Sequence, residues 1–324
     1  MVKMRSFPVR IAQRHRTDPA EEIKDSREAG ERGFMNDSRE NGALRRGASG
    51  RTLYVSDLDG TLMRNDETIS AYTVKTLNEL TEQGMAFTYA TARSVESART
   101  ITGGLKLTLP AVTRNGTVLA DNSTGRHLEK ALFTDEEVLL LKKLLPELPE
   151  YGFVSCFIGE EMIKTYIPGR HTPGLEKYLR KNERDTRLRP AADFDDLFRG
   201  QVGYVTLIDD RDRIAPLYDR VREYPGWECL FQKDTYWEEY WLEICPRNCT
   251  KAKAVLKLKE ARGFDRLVVF GDSVNDLSMF RIADESYAVA NALEELKAAA
   301  TAVIGSNEED AVADFLRDAW HARG

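Results

Sequence analysis

The chain has 324 residues, 42% hydrophobic and 31% charged, with a formal net charge of −6 at pH 7. That length is ample for a sizeable core and allows two domains; no apolar run is long enough to cross a bilayer, and the acidic balance argues against nucleic acid as a partner. Four cysteines, Cys156, Cys229, Cys245 and Cys249, form no disulfide framework and lack a second Cys/His pair at zinc-ligand spacing, so reduced thiols in a cytoplasmic protein are expected.

Residues 1–50 carry 11 Lys/Arg against 8 Asp/Glu, with Phe7 and Phe34 as the only aromatics. Such a stretch buries little surface, and a flexible extension is expected, with a transient helix around Pro19–Arg32. It has positive charge but no apolar h-region, so it does not read as a secretory signal. From Arg51 onward strand and helix alternate, which points to an α/β fold with a parallel sheet covered on both faces. A strand at 52–57 precedes a helix near 70–83, with Ser70 as N-cap, Gly84 as stop, and Val74, Leu77 and Leu80 facing the sheet. A second strand, Ala86–Ala90, runs into Thr91-Ala92-Arg93 and another helix; a third, Ala111–Thr113, leads into the turn signal Asn115-Gly116.

The pattern then changes. Thr134 and Glu137 form a capping box ahead of an amphipathic helix ending near Leu145. Strand-like runs follow at 153–158, 161–167, 202–208, 227–233 and 236–244, with helical pieces near 174–184 and 214–223, so this block reads as an inserted α+β domain. After Ile244 the βα alternation returns: a helix capped by Thr250 and stopped at Gly263, and a strand Leu267–Phe270 running into Gly271-Asp272-Ser273-Val274-Asn275-Asp276. Runs at 286–290 and 302–304 and a helix at 309–320 close the chain.

The chemistry follows from strand ends and one helix start. Asp57-Leu58-Asp59-Gly60-Thr61-Leu62 places two carboxylates two residues apart where an apolar strand stops, and Gly60 supplies the sharp turn. Asp272 also ends an apolar strand, so in a parallel sheet Asp57, Asp59 and Asp272 reach one edge. Clustered carboxylates repel, and all-oxygen ligands without His or Cys favour magnesium over zinc. Thr91 offers a strand-end hydroxyl to a phosphate oxygen, and Lys251 adds a cation at a helix start. Singly, each has an ordinary structural reading: a solvated lysine, a strand-end hydroxyl, or, for Asp272, Asn275 and Asp276, caps for the next helix. Together they point to a phosphoryl site.

These segments, Asp57–Leu62, Thr91, Lys251 and Gly271–Asp276, resemble the four motifs of haloacid dehalogenase superfamily phosphatases, closest to the Cof-like branch with its α/β cap between the second and third motifs. Thr113–Gly116 before the cap, with Val289–Ala292 and Ser306-Asn307 near the C-terminus, support that branch. The resemblance spans roughly residues 51–320 and implies a Rossmann-like parallel-sheet core over 51–128 and 245–324 with an α+β cap over 129–244. It implies Asp57 as nucleophile of an aspartyl-phosphate and Asp59 as acid and then base. Magnesium would be held by Asp57, the Asp59 carbonyl and Asp272, with Asn275 and Asp276 organising the metal side. Thr91 and Lys251 would hold the phosphoryl oxygens. Arg93, Arg114 and Asn115, and Arg170 or His171 from a cap loop, are candidate substrate contacts, although for His171 an exposed loop histidine is the stronger reading. The Trp237, Tyr240 and Trp241 cluster reads as core packing. Ala92, Ala252, Ala290 and Ala311 depart from family glycines without removing a chemical group.

The expectation is a Mg²⁺-dependent phosphatase of a small phosphorylated metabolite, with sugar phosphates the leading class, acting as monomer or homodimer without nucleic acid or membrane. A phosphomutase is the nearest enzymatic alternative. A non-catalytic phosphometabolite-binding protein is a further one, disfavoured because a binding module has no need of an acid two residues after the nucleophile.

Overall fold

A computed structural model describes residues 50–145, 150–247 and 249–322. The expected extension over 1–50, with its transient helix, lies outside the described residues apart from Gly50. The first elements are β1 (Thr52–Ser56), α1 (Ala71–Glu82), β2 (Ala86–Tyr89), α2 (Val95–Thr102) and three short strands, β3 (Ala111–Thr113), β4 (Val118–Ala120) and β5 (His127–Lys130). α1 begins where Ser70 accepts the Thr73 amide, and Gly84 beyond it takes φ 100°, as its stop signal requires. Leu77 and Leu80 are buried on its inner face, and Val74 packs partly buried against the same core.

Helix α3 (Asp135–Leu144) opens on the expected capping box, with Thr134 and Glu137 each accepting the other's amide. Then come β6 (Phe153–Ile158), β7 (Glu161–Tyr166), α4 (Pro173–Lys181), β8 (Leu188–Pro190), β9 (Gln201–Asp209), α5 (Arg211–Val221), β10 (Trp227–Lys233) and β11 (Tyr240–Pro246). The strand expected at 236–244 starts only at Tyr240. The Asp234 carboxylate accepts the amides of Tyr236 and Trp237 at 2.8 and 2.9 Å, which folds 234–239 into the turn of the β10–β11 hairpin. The chain closes through α6 (Lys251–Ala261), β12 (Arg266–Gly271), α7 (Leu277–Phe280), β13 (Glu285–Ala288), α8 (Glu294–Ala299), β14 (Ala302–Val303) and α9 (Ala311–His321).

Three sheets result. A five-stranded parallel sheet runs β14-β13-β12-β1-β2, with Leu53 opposite Leu267 and Val55 opposite Val269. Successive residues Leu53–Ser56 are all buried, so both faces are covered and the strand reads as one apolar run. Phe270 stacks on Tyr287 at 5.7 Å and meets Phe315 of α9 edge-on at 5.5 Å; fully burying each such side chain contributes about 1.5–3 kcal/mol. A three-stranded antiparallel sheet joins β3, β4 and β5.

The six-stranded sheet runs β10-β11-β9-β6-β7-β8, antiparallel except where β7 meets β8. Here alternation holds. Val154, Val205, Leu207, Leu242 and Ile244 pack with Leu141 and Leu144 of α3 and Ile214 and Leu217 of α5. The residues between them, Phe153, Ile208 and Trp241, lie on the other face, where α4 adds Leu175. Lys164 and Glu243 share that second face by register. Among the described residues no helix is long and apolar enough to cross a membrane.

Candidate active site

β1 delivers Asp57 to the rim of the parallel sheet, its amide donating to Phe270 O of β12 at 3.0 Å. The chain then turns through Leu58–Leu62 with Gly60 at φ 72°. A side chain there is excluded twice: the conformation is left-handed, and a Cβ would lie 2.5 Å from Asp272 Oδ2. The turn thus presses the first acidic motif against the second. Thr61 Oγ1 donates to Asp272 Oδ1 at 3.1 Å, and the Asp272 and Ser273 amides donate to Asp276 Oδ2 at 3.0 and 3.1 Å. Asp57, Asp272 and Asp276 present carboxylate oxygens within 4.8 Å of one another, all buried.

Lys251 reaches into this cluster from the first turn of α6, fully buried, donating to Asp57 Oδ1 at 2.5 Å and Asp276 Oδ1 at 2.8 Å. Thr250 starts that helix by accepting the Lys253 amide. One ammonium faces three carboxylates, and the shortage of positive charge is visible. Burial lifts the Asp57 carboxyl to about 7 even though Lys251 pulls it down. Burial and the charges of Asp57 and Asp276 push Asp272 well above the carboxylate range. Three buried acids with one cation between them fit a hard divalent ion, which would supply the missing charge.

Asp59 faces away from that cluster. Its carboxylate accepts Arg93 Nε at 2.9 Å and Nη2 at 2.6 Å, and the Tyr236 hydroxyl at 3.0 Å. Arg93 also donates to Glu67 Oε2 at 3.0 Å, and Glu67 is held from α4 by Lys181 at 2.8 Å. Thr91 is buried, its hydroxyl accepting the Arg93 amide at 3.1 Å. Asn275 Nδ2 donates to Asn115 Oδ1 at 3.2 Å, and Asn115 Nδ2 donates to Tyr204 Oη at 3.1 Å and Glu243 Oε2 at 2.8 Å. Arg114 and Asn115 are non-glycine residues with φ 51° and 50°. Such backbone costs on the order of 1–3 kcal/mol per residue and persists only where neighbours over-determine it, as the Asn115 bonds do here.

A family model for haloacid dehalogenase-like hydrolases matches residues 54–316. The chain belongs to the haloacid dehalogenase-like hydrolases. It is 27% identical over 280 residues to the 5-amino-6-(5-phospho-D-ribitylamino)uracil phosphatase YwtE of Bacillus subtilis, covering 80% of this chain and 95% of that one. It is likewise 27% identical over 266 residues to the pyridoxal phosphate phosphatase YbhA of Escherichia coli, with 80% and 95% covered. Among solved structures, TM0651 from Thermotoga maritima superposes with a TM-score of 0.65 at 25% identity, over 83% of this chain and 97% of that one. The chain is a phosphatase of the Cof-like kind.

In this hydrolase a cavity of about 230 Å³ opens between the acidic cluster and the face of the six-stranded sheet that α4 partly covers. Asp57, Asp59 and Asp272 line its floor, with Arg93, Arg114 and Asn275 on the same side. Three corrections concern the opposite wall. Arg170 and His171 do not line the cavity: Arg170 lies over the Tyr151 ring at 4.9 Å, and His171 bonds to Ile167 O and Glu176. Trp237, expected in the core, lines it; Trp241 packs against Phe153, Leu175 and Ile208 as expected but also lines the cavity, and Tyr240 packs on Phe231 at 5.3 Å. Tyr236 sits at the tip of the hairpin turn that was expected to be strand, and for that reason reaches Asp59.

Other contributors had a sequence signal that went unused. Lys164 and Glu243 are charged residues beside apolar neighbours in buried strands, Met162-Ile163 in β7 and Leu242 and Ile244 in β11, the mark of a second occupied face. Asn291 and Asn307 brace the loop after Asp57, donating to Gly60 O at 2.7 Å and Met63 O at 2.9 Å.

Proposed function

We propose that this phosphatase is Mg²⁺-dependent and hydrolyses a small phosphorylated metabolite, with sugar phosphates the leading class, through an aspartyl-phosphate on Asp57. The observation that carries the reading is the Asp57 carboxylate, buried against Lys251 at 2.5 Å, two residues before an acid held by its own arginine. Asp57, Asp272 and the Asp59 carbonyl would hold the ion, with Asp276 and Asn275 behind them. When bound, Mg²⁺ offsets the repulsion between a carboxylate and a phosphate dianion.

The residues divide the work. Asp57 attacks phosphorus and the ester P–O bond breaks, while Asp59 gives its proton to the leaving oxygen. Asp59 then takes a proton from a water that attacks the acyl phosphate, releasing inorganic phosphate and restoring Asp57. Thr91 and Lys251 hold the phosphoryl oxygens, and Arg93 with Tyr236 fixes Asp59. Residues 129–244 act as a cap over a core of 51–128 and 245–324, excluding water during transfer. Aromatic walls beside polar groups suit a sugar ring.

The test is turnover of p-nitrophenyl phosphate. Expected are activity with Mg²⁺, its loss on chelation and return on re-addition, and a drop of about 10³-fold or more in Asp57→Asn. An Asp57→Asn variant as fast as the parent overturns the assignment of the nucleophile.

A further inference from the structure

The cavity contains a cation that the hydrolytic chemistry does not use. Arg114 is only 4% exposed and lines the cavity, yet its Nε and Nη2 atoms are buried without a hydrogen-bond partner. Its guanidinium rests over the Tyr204 ring at 5.7 Å. Two acids lie within Coulombic reach, and both are engaged elsewhere. Glu96 is paired with Arg187, and Glu243 accepts Asn115. Burial moreover lifts the Glu243 carboxyl to about 7.

A second cation faces the same space. Lys164 rises from the middle of β7, nearly buried, donating to Tyr178 Oη at 2.7 Å and Asp185 Oδ2 at 3.3 Å. Asp185 is shared with Arg187, which takes both of its oxygens. Burial, reinforced by Arg114 and Arg187, pulls the Lys164 ammonium down to about 7. These cations press on one another, and the Arg114 fork has no anion in it. A planar two-donor fork in a water-poor wall matches one chemistry, an oxyanion bound through two oxygens. Left empty, it is a buried charged group without partners, which folded proteins seldom keep without a use.

We propose that the cavity binds a second oxyanion of the substrate, a phosphate or carboxylate on the leaving group, in the Arg114 fork with Lys164 as the supporting cation. This rests on the phosphatase reading of the same site and narrows it: the preferred substrate is doubly anionic. The strained turn at 114–116 then has a purpose, since it places Arg114 in the cavity lining on the same side as Asp57.

The full-chain enzyme with Mg²⁺ is assayed on matched compounds: glucose 6-phosphate against 6-phosphogluconate for a carboxylate, and glucose 6-phosphate against glucose 1,6-bisphosphate for a phosphate. Expected is a kcat/KM at least about tenfold higher for one doubly anionic compound. The arm that responds identifies the oxyanion. In Arg114→Gln the preference collapses toward one, and Arg114→Lys recovers part of it, having the charge without the fork. Gln and Lys carry the same Cβ as Arg, so the left-handed turn is no more strained, and melting temperatures verify that each variant folds. A parent ratio near one in both arms overturns the proposal, as does a ratio that survives in Arg114→Gln. Calorimetry on Asp57→Asn, with and without Arg114→Gln, reads the ratio of dissociation constants without turnover. If p-nitrophenyl phosphate is not hydrolysed, the phosphatase reading fails, while these binding ratios still decide the subsite.

Discussion

The parallel and antiparallel sheets present chemistry in opposite ways. In the five-stranded sheet Asp57 and Asp272 emerge at strand ends, because both faces of β1 and β12 are buried and only the rim is open. In the six-stranded sheet Lys164, Trp241 and Glu243 emerge from mid-strand, because α3 and α5 cover one face and leave the other toward the cavity. Rim groups are held by tight turns and sit close enough to share an ion; face groups are spread over several strands and suit a larger, variable ligand. On the proposed mechanism, the sheet with its faces sealed would do the bond-making and the second sheet would choose the leaving group.

The sharpest way to break this division is Asp59→Asn. Loss of the acid is expected to cost about 10²–10⁴-fold on a sugar phosphate, and much less on p-nitrophenyl phosphate, whose leaving group needs little protonation. Equal losses on both would remove Asp59 from proton transfer. A second effect belongs to the open face. Glu243 keeps its proton in the folded chain until about pH 7, against 4.5 for the free group. The folded state therefore binds the extra proton over that interval, and the stability it contributes, at most about 3 kcal/mol, is lost as pH rises from 4.5 to 7. Glu243→Gln should flatten the fall in urea midpoint across that range with chelator present; an unchanged slope would mean the carboxyl ionises freely.

The sheets meet at Tyr236, whose hydroxyl crosses from the hairpin turn to Asp59. Tyr236→Phe removes one bond to a carboxylate and is expected to lower kcat on a sugar phosphate about tenfold while KM stays near the parent value. If KM rises while kcat stays fixed, the ring only shapes the cavity. The smallest effect is expected far from the open face. Thr134→Ala breaks the capping box of α3, which packs on the sealed side of the cap sheet. It should cost about 1 kcal/mol in urea unfolding and leave the selectivity ratio alone. A change in selectivity would show that the two faces are coupled.

Legibility followed the same division. The rim was readable because strand-end acids, Gly60 and the Thr250–Lys251 helix start are local patterns, each spanning a few consecutive residues. The strands β4, β5 and β8 were not: β5 (HLEK) and β8 (LRP) carry no apolar run, and β4 is three residues directly behind a turn signal. The hairpin turn at 234–239 was hidden because aromatic residues favour strands, and only the Asp234 side chain overrides them.

From its residues alone, the chain determined an α/β core, an inserted α+β block and the acids, lysine and threonine of the proposed phosphoryl site. Those properties arise from neighbours in sequence, where periodicity and turn chemistry act over short distances. Tertiary structure alone decided that Arg93 serves Asp59, that Trp237 and Trp241 face a cavity, and that the Arg114 fork stands open. Each depends on what lies opposite in space, and tertiary packing sets that across 34 residues of chain for Arg93 and Asp59 and 177 for Tyr236 and Asp59.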